Sequence, residues 1–434
     1  MIETIAWPPS LWVAVTSPGA AHSPLQGSIS ADVAIVGAGF TGLSAALHLA
    51  RAGIQVAVIE AKAPGWGASG RNNGQVIPTL SKVDPDAIEA RHGAAGERFV
   101  ALLRDSAKLL FELAREEGVA CEAEQTGWIQ PAHTPGRMRL AEKRVAQWTR
   151  RGAPVALLSR EEVARRLGSE AWHGGWTNAT GGHINPLALA RGLADAVIRR
   201  GGRVFAQSPA LAFGRTAQGW RVSAATGEVT ARALVIATNA YTGEIAPGLA
   251  PDMAREIVPV LSWQMATAPL GEDVRRAVLP GREAVSDTRG ELFFMRYDAR
   301  HRLVTGGAMV SSINGAERLK ALVAARFKRL VPAVGEVRFD YVWNGYIAMT
   351  RDYLPRIHRL GPDAYAWAGC NGRAVGLAVA LGREFARAIQ GARESDLALP
   401  FTPADPIPFH GVARRLAPLV LWEYKRRDRA EFQT

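Results

Sequence analysis

The apolar positions between residues 31 and 61 predict a strand, a helix and a second strand. Residues 32–36 (DVAIV) and 55–59 (QVAVI) form short apolar runs typical of buried strands, and residues 43–52 carry apolar side chains at helical spacing. A glycine-rich turn, residues 37–42 (GAGFTG), separates the first strand from the helix. This order of elements is that of a βαβ unit with parallel strands.

The glycine-rich turn matches the G-x-G-x-x-G pattern of dinucleotide-binding proteins. Gly37 permits the tight turn, Gly39 lets a pyrophosphate approach the backbone, and Gly42 lets the helix pack closely on the strand. The helix N-terminus offers free N–H groups to the phosphate charge. Glu60 ends the second strand and is placed to accept hydrogen bonds from a ribose. The alternative is a glycine-rich turn in an ordinary βα unit, and the pattern by itself does not separate NAD from FAD.

Helical and strand-like patterns alternate along the rest of the chain. Apolar residues at helical spacing predict helices at residues 98–117, 137–150, 187–200, 316–330 and 374–390. Short apolar or alternating runs predict strands at residues 204–206, 220–224, 233–237, 257–268, 291–297, 302–306 and 364–368. Segments near the nucleotide motif therefore interleave with segments of antiparallel character.

This interleaving predicts an α/β fold with two discontinuous domains. A Rossmann-like nucleotide-binding domain is expected to comprise residues 31–90, 175–245 and 340–395. An α+β substrate-binding domain, built on an antiparallel sheet, is expected to comprise residues 91–174 and 246–339. Residues 396–434 are expected to form a C-terminal tail.

Both ends of the chain differ in character from the domains. Residues 1–30 are rich in Pro, Ser and Gly and are expected to wrap the surface before the first strand. Residues 411–434 mix apolar and basic side chains, which suits contact with a membrane surface or a partner. The alternative that we favour is a helix docked on its own domain.

The composition changes this interpretation little. The formal net charge is +12, but the basic residues are scattered and no aromatic-interleaved basic motif occurs, so we expect no nucleic-acid partner. The charge instead suits an anionic cofactor or acidic substrates. Two distant cysteines, Cys121 and Cys370, exclude a disulfide framework and fit a reducing compartment. No apolar run is long enough to span a bilayer and no secretory signal is evident, so we expect a cytoplasmic protein.

The loop at residues 65–75 (GWGASGRNNGQ) follows Glu60 closely and is dense in backbone donors and small side chains. Such a loop can wrap a pyrophosphate and the edge of a ring system. The alternative is a flexible surface loop.

Taken in order, these motifs resemble those of the D-amino-acid oxidase, glycine oxidase and sarcosine oxidase family of FAD enzymes. The later motifs are residues 181–186 (GGHINP), 235–240 (VIATNA), 287–289 (DTR), 306–307 (GG), 343–345 (WNG), 350–355 (TRDYLP) and 369–373 (GCNGR). The resemblance covers residues 11–391, and within the family it is strongest to the branch that contains gamma-glutamylputrescine oxidase.

The resemblance implies FAD as the cofactor and assigns its contacts residue by residue. The ADP part is expected against the glycine turn and Glu60, and the flavin against the loop and the start of the last helix, where a helix N-terminus suits the negative charge of reduced flavin. The implied contacts are Gly37, Gly39, Phe40, Thr41, Gly42, Glu60, Ala61, Gly67, Ala68, Ser69, Gly70, Arg71, Asn72, Asn73, Gly74, Gln75, Pro209, Ala210, Thr238, Asn239, Gly345, Gly372, Arg373, Val375, Gly376 and Leu377.

Two positions depart from the family pattern. The sarcosine oxidase branch attaches flavin through a cysteine at the position matched by Gly345, so we predict non-covalent FAD. Cys370 is near that motif but in a different place, and we interpret it as a buried small hydrophobe. At Arg373-Ala374 many relatives carry a glycine beside the preceding residue, which changes the local shape.

The chemistry that the resemblance implies is oxidation of a C–N bond by hydride transfer to flavin N5, with dioxygen as acceptor and hydrogen peroxide as product. The cofactor carries this reaction, so neither a protein nucleophile nor a metal is required. We expect a small amine or amino-acid substrate, of the γ-glutamyl-polyamine or imino-acid type, and a monomer or homodimer. The candidate catalytic residues are His183, Arg296 and Trp343; for His183 a structural hydrogen bond to the backbone is an equal alternative.

Two other functions stay open at this point. A dehydrogenase of the same fold would pass electrons to a quinone or a carrier protein, which the basic, partly apolar tail favours. A catalytically silent flavin-binding subunit would bind FAD without being reduced by any amine.

Overall fold

The computed structural model describes residues 5–307 and 315–431; residues 432–434 of the predicted tail segment lie outside this range. The helices are Leu11–Val15, Phe40–Arg51, Pro85–Glu116, Met138–Thr149, Arg160–Leu167, Pro186–Arg199, Thr242–Ile245, Pro251–Arg255, Glu272–Ala277, Gly315–Leu330, Val375–Ile389 and His410–Glu431. The strands are Gly27–Val36, Val56–Ile59, Gln75–Val76, Trp128–Pro131, Val155–Leu158, Gly175–Asn178, Gly182–His183, Arg203–Phe205, Ala210–Thr216, Gly219–Ala224, Gly227–Ile236, Val258–Thr267, Ala284–Ser286, Phe294–Tyr297, Leu303–Gly307, Phe339–Met349, Arg356–Gly361 and Ala364–Ala368.

The nucleotide-binding sheet is built around the first strand, Gly27–Val36. This strand pairs in parallel with Val56–Ile59 on one side and with Gly227–Ile236 on the other. Arg203–Phe205 extends the parallel arrangement beyond the second strand, and Ala364–Ala368 extends it beyond Gly227–Ile236. The central residues are apolar on both sides of the strands, as in parallel sheets covered on both faces.

Helices cover one face of this sheet, and two of them pack closely together. Helix Phe40–Arg51 lies against helix Val375–Ile389, where a Cβ at Gly382 would be 2.5 Å from the carbonyl oxygen of Thr41. The Ser44 hydroxyl donates to the carbonyl oxygen of Val379 at 2.7 Å. The interior of the last helix therefore packs on the first turns of the helix that follows the glycine turn, although more than 300 residues separate the two in sequence.

The second sheet carries the antiparallel pairs that the sequence indicates. Its order runs from Phe339–Met349 through Val258–Thr267, Leu303–Gly307, Phe294–Tyr297, Ala284–Ser286, Trp128–Pro131 and Gly175–Asn178 to Val155–Leu158. The pairs are antiparallel except for Ala284–Ser286 with Trp128–Pro131. Leu319, Val323 and Phe327 of helix Gly315–Leu330 are buried against its apolar residues.

The α/β fold class predicted from the sequence is confirmed, with three local differences. Strands Gly175–Asn178 and Phe339–Met349 pair within the second sheet, whereas the predicted boundaries put residues 175–178 and 340–349 in the nucleotide-binding domain. The helix expected at residue 98 starts at Pro85, directly after Asp84, and kinks at Gly93, which has a φ of +55°. The N-terminal segment is not only a surface wrap, because Leu11 and Trp12 are fully buried. Among the described residues no helix is long and apolar enough to cross a membrane.

Candidate active site

The glycine turn has the shape that its sequence predicts. Gly37 has a φ of +103°, a conformation that side-chain-bearing residues rarely adopt. A Cβ at Gly42 would overlap the carbonyl oxygen of Gly37 and lie 3.2 Å from Cγ2 of Ile35. A Cβ at Gly39 would lie 2.9 Å from the Ser69 hydroxyl. At Gly39 and Gly42 the turn therefore has room for a hydrogen atom but not for a side chain.

Ser69 and Glu60 fix the two sides of this turn. The Phe40 N–H, in the first turn of its helix, donates to Ser69 Oγ at 3.0 Å. Glu60 Oε2 accepts from the Ala38 N–H at 2.8 Å, and its Oε1 accepts from the Lys62 N–H at 2.9 Å. Burial raises the pKa of the Glu60 carboxyl, while these backbone donors oppose the rise. The carboxylate is held at the end of its strand.

Two connected cavities run away from the turn. The smaller, of about 110 Å³, is lined by the glycine turn, Glu60, Gly67 and Ala210. The larger, of about 1130 Å³, lies between the sheets. Both are lined by Gly39, Ser69 and Asn239. Together they form one elongated space whose narrow end lies at the glycine turn.

Most of the predicted cofactor residues line this space. They are Gly37, Gly39, Phe40, Thr41, Glu60, Ala61, Gly67, Ala68, Ser69, Arg71, Asn72, Asn73, Gln75, Ala210, Thr238, Asn239, Gly345, Gly372, Arg373 and Val375. The predicted residues outside the lining are Gly42, Gly70, Gly74, Pro209, Gly376 and Leu377. Several of these allow close packing: a Cβ at Gly74 would overlap the carbonyl oxygen of Ile184, and one at Gly376 would lie 3.1 Å from the backbone of Ser106.

The loop at residues 71–73 is held from behind by side chains that are distant in sequence. Trp343 Nε1 donates to the carbonyl oxygen of Arg71 at 2.7 Å. Trp12 Nε1 donates to that of Asn72 at 2.8 Å, and Arg296 Nε donates to that of Asn73 at 2.8 Å. Three consecutive carbonyl groups are thereby turned away from the cavity.

Arg296 contributes two further donors. Its Nη1 donates to the carbonyl oxygen of Tyr297 at 2.8 Å, and its Nη2 donates to that of Ile184 at 2.9 Å. Its guanidinium also lies 4.7 Å from the ring centre of Trp12. Burial lowers the pKa of Arg296 to about 10, so the group stays charged at neutral pH. The Arg296 side chain therefore holds together the backbone of Asn73, Ile184 and Tyr297.

His183 directly precedes Ile184, whose carbonyl oxygen accepts from Arg296. Its strand pairs with Gln75, and its Nε2 lies 2.9 Å from the carbonyl oxygen of Arg282. Burial lowers the pKa of His183 to about 3, so the imidazole is neutral and Nε2 carries the hydrogen that it donates. None of the three predicted catalytic residues lines the cavities in this structure. Arg296 and Trp343 hold the loop at residues 71–73, whereas the His183 ring contacts the backbone of Arg282.

The far end of the larger cavity is lined by cationic residues that sequence analysis missed, apart from Arg373. They are Lys82, Arg137, Arg144 and Arg373; Asp84 lines the same cavity and pairs with Arg144 at 2.9 Å. They come from segments that are far apart in the chain, so no single motif could have indicated this end of the cavity.

Lys82 is the one ammonium group among these cations. Its Nζ lies 5.1 Å from the ring centre of Tyr424. Burial, followed by the nearby charge of Arg373, lowers the pKa of Lys82 to about 8. Lys82 follows the short strand Gln75–Val76, and no local pattern distinguishes it from a surface lysine. Only the tertiary fold turns it toward the cavity.

Arg373 is the most deeply buried of these cations. Its Nη1 lies 3.2 Å from Thr79 Oγ1 and 3.4 Å from the carbonyl oxygen of Leu80, and its Nη2 lies 3.5 Å from Ser286 Oγ. Burial lowers its pKa to about 9. Within residues 5–307 and 315–431, no carboxylate forms an ion pair with it. A buried cation that has only neutral partners favours an anion in the adjoining space.

The C-terminal helix, His410–Glu431, covers the mouth of the larger cavity. Asp428 accepts from the backbone N–H groups of Gly290 and Glu291 at 2.8 and 3.1 Å. Tyr424 contacts Tyr353 through the two hydroxyl groups, and it packs on Gly290. At the other end of the helix, His410 Nε2 lies 2.7 Å from the carbonyl oxygen of Ile257. The prediction of a tail helix docked on its own domain agrees with these contacts.

Comparison with known proteins agrees with the nucleotide-binding geometry of the site. Residues 32–388 match the model of a family described as FAD-dependent oxidoreductases. This chain belongs to that family.

Two curated relatives extend the match to most of the chain. The gamma-glutamylputrescine oxidoreductase of Escherichia coli is 32% identical over 401 residues, which cover 92% of this chain and 93% of the relative. A probable oxidoreductase, OrdL, of Haemophilus influenzae is 30% identical and covers 85% of each chain. Among solved structures, glycine oxidase from Geobacillus kaustophilus superposes with a TM-score of 0.70 at 22% identity, covering 88% of this chain and 98% of the other. The fold and the FAD-dependent oxidoreductase class are thereby confirmed.

The residues present fit the FAD of this family. The glycine turn and Glu60 offer what a pyrophosphate and a ribose require, as described above. Among the described residues, the buried side-chain oxygens Gln75 Oε1 and Gln264 Oε1 have no hydrogen-bond partner, and both residues line the larger cavity. Buried acceptors of this kind are costly unless a donor is supplied. A flavin ring N–H and a substrate amine are donors of the right kind.

We predict that FAD is bound without a covalent bond. Gly345 lines the cavity at the position where a thiol would be needed. Cys370 Sγ accepts from the Ala348 N–H at 3.3 Å, and burial raises its pKa, so this thiol is neutral and unreactive. Precipitation of the holoprotein with acid should leave all of the flavin in the supernatant. Cys370→Ser should behave in the same way; yellow protein in the pellet would contradict the prediction.

Proposed function

We propose that this enzyme oxidises the C–N bond of a small amine that also carries a carboxylate. When bound, FAD supplies a hydride acceptor at N5, and the resulting imine hydrolyses to an aldehyde or keto product. Dioxygen is the proposed electron acceptor and hydrogen peroxide the second product. The observation that carries the proposal is the pair of cations Lys82 and Arg373 in the wall of the larger cavity, since Arg137 and Arg144 beside them are already paired with Glu431 and Asp84.

This cationic end suits the carboxylate of such a substrate. Lys82 and Arg373 would attract the carboxylate, because neither has an acidic partner at ion-pair distance in the described part of the chain. The site would therefore hold the carboxylate at this end of the cavity.

The walls nearer the loop would bind the amine end. Trp263 and Phe294 line the cavity and give it an apolar surface that excludes water. Gln264 Nε2 donates to Ser262 Oγ at 3.0 Å, which fixes the amide so that Oε1 is left as an acceptor. A neutral amine can donate to this oxygen. His183, Arg296 and Trp343 are proposed to act indirectly, by holding the loop at residues 71–75, which also lines the cavity.

The substrate that we propose first is a γ-glutamyl-polyamine, because the relative with 32% identity is a gamma-glutamylputrescine oxidoreductase. In such a molecule the reacting amine and the carboxylate lie at opposite ends. An imino acid is the second candidate. A cavity of about 1130 Å³ leaves room for an elongated substrate beside a cofactor.

Anaerobic mixing of the holoenzyme with three amines tests the proposal. γ-Glutamylputrescine should bleach the flavin absorbance, putrescine should bleach it at least about tenfold more slowly because it lacks the carboxylate, and proline tests the second candidate. Admission of air should then restore the yellow colour with release of peroxide. Equal rates with putrescine and γ-glutamylputrescine would contradict carboxylate recognition. No bleaching by any amine would favour a silent flavin-binding subunit.

A dehydrogenase is the second candidate function, and the exposed apolar surface of the C-terminal helix beside the cavity favours it. The same experiment separates the two functions. Bleached flavin that reoxidises rapidly with a quinone or a dye, but without peroxide in air, would show that dioxygen is not the acceptor.

We predict that Lys82 gives substrate binding a pH dependence. Its pKa of about 8 means that it is charged below this pH and neutral above it. The KM for a carboxylate-bearing amine should therefore rise as the pH increases through about 8, after correction for the substrate's own ionisation. Lys82→Met should have a high KM at every pH, and Lys82→Arg should keep a low KM above pH 8 because a guanidinium stays charged. A wild-type profile in Lys82→Met would refute the assignment.

A further inference from the structure

The exposed large apolar side chains of the described chain are concentrated at the C-terminal helix. Those in this segment are Phe409, Val412, Leu416, Leu419, Val420 and Trp422. The remaining ones, Leu157, Ile198, Leu211 and Leu322, lie on separate elements. Isolated exposed apolar residues are normal, whereas a cluster on one helix indicates a contact surface.

The helix has two different faces. Ala413, Leu416, Ala417, Val420 and Tyr424 line the cavity and mark the inner face, so Leu416 and Val420 of the exposed residues belong to this face. Val412, Arg415, Leu419, Trp422 and Arg426 follow one another at spacings of three or four residues, so they share the opposite face. Leu419 and Trp422 are 56% and 57% exposed. We call the face formed by these five residues the outer face.

The charge of the helix is strongly positive. Between residues 410 and 431 the sequence has six Lys and Arg residues and three acidic residues. The acidic residues are already engaged: Glu423 pairs with Arg426 and Arg427, Asp428 accepts backbone hydrogen bonds, and Glu431 pairs with Arg137. The outer face therefore combines a tryptophan and aliphatic side chains with guanidinium groups.

We propose that the outer face binds the surface of an anionic lipid bilayer, with the helix lying parallel to it. Tryptophan, leucine and arginine on one face of a helix of 22 residues is the composition of interfacial helices, and the positive charge complements anionic headgroups. A second copy of this chain is a poorer occupant, because a symmetric contact would bring two equally positive faces together. Because the helix covers the cavity, the bilayer would lie next to the cavity mouth.

Vesicle flotation of the holoenzyme tests this proposal. The protein should float with vesicles of phosphatidylcholine and phosphatidylglycerol in equal parts, and it should stay at the bottom with pure phosphatidylcholine. Raising the salt concentration should weaken the binding. The double variant Leu419→Glu/Trp422→Glu should lose at least about tenfold in affinity, since it removes apolar contacts and adds negative charge. Failure of the wild-type protein to float with the anionic vesicles would overturn the proposal.

Leu211→Glu is the matched control, because Leu211 is 52% exposed on a different element. It should float as well as the wild-type protein, and an equal loss would show that the effect is not specific to the outer face. Both variants should retain bound flavin and its reduction by amine, because the substituted residues do not line the cavity. Size-exclusion chromatography separates the remaining alternative: a wild-type dimer that the double variant converts to a monomer would overturn the bilayer assignment in favour of a second copy.

Discussion

Replacing Gly42 by alanine is expected to abolish FAD binding. The added Cβ would overlap the carbonyl oxygen of Gly37 and lie 3.2 Å from Ile35 Cγ2, and both neighbours belong to the buried strand and its turn. The helix can relieve the overlap only by moving away from the strand, which opens the turn and misdirects its N–H groups. We expect the affinity for FAD to fall at least about 100-fold, or about 2.7 kcal/mol. Titration of the apoprotein with FAD measures this change.

Gly214→Ala provides the control for this prediction. Gly214 lies on a strand of the nucleotide-binding sheet, and an added Cβ there would have nothing within 4 Å. Its affinity for FAD should equal that of the wild-type protein. If Gly42→Ala retained wild-type affinity, the turn would not be the pyrophosphate site, and the assignment of the whole narrow end of the cavity would fail with it.

Replacing Arg296 by methionine is expected to destabilise the protein by about 3–5 kcal/mol. Methionine fills a similar volume but leaves the buried carbonyl oxygens of Asn73, Ile184 and Tyr297 without this donor, at about 1–3 kcal/mol for each acceptor left unsatisfied. Arg296→Lys should be destabilised nearly as much, because one ammonium cannot reach acceptors on three separate segments. Urea unfolding, monitored by tryptophan fluorescence, measures the free energy of unfolding.

The same variant separates a structural role of Arg296 from a catalytic one. If the guanidinium acted on the substrate, turnover would fall while the free energy of unfolding stayed near that of the wild-type protein. If it clamps the loop, stability and flavin retention fall first, and the remaining flavin is still reduced by substrate. Arg300→Met, at an exposed arginine in the next turn, should change stability by less than about 0.5 kcal/mol.

The cover over the cavity distinguishes this active site from an open cleft. Tyr424, Asp428 and Glu431 bind the C-terminal helix to the walls of the cavity, through Tyr353, the backbone at residues 290–291 and Arg137. Binding of the outer face to a bilayer would therefore act on an element that also lines the cavity.

The nucleotide-binding half of the site was determined by the sequence itself. Gly37, Gly39, Gly42 and Glu60 lie in one short βαβ unit, where each residue acts through its own backbone or through neighbours in that unit. A pattern of this kind is visible in sequence because the contacts that it makes are local. The start of the last helix at Val375 was also predictable, from its apolar spacing and the preceding glycine.

The substrate half was decided only by the tertiary structure. Arg296 and Asn73 are 223 residues apart, and no local pattern shows that one holds the other. Arg296 and Trp343, which we predicted to be catalytic, donate to the backbone of the loop. Lys82 looks like a surface lysine in sequence, yet the fold encloses it with Arg373 and thereby lowers its pKa. Short sequence motifs determine backbone contacts within one unit of the fold. The burial and the pKa of a side chain depend instead on every element that the fold places around it.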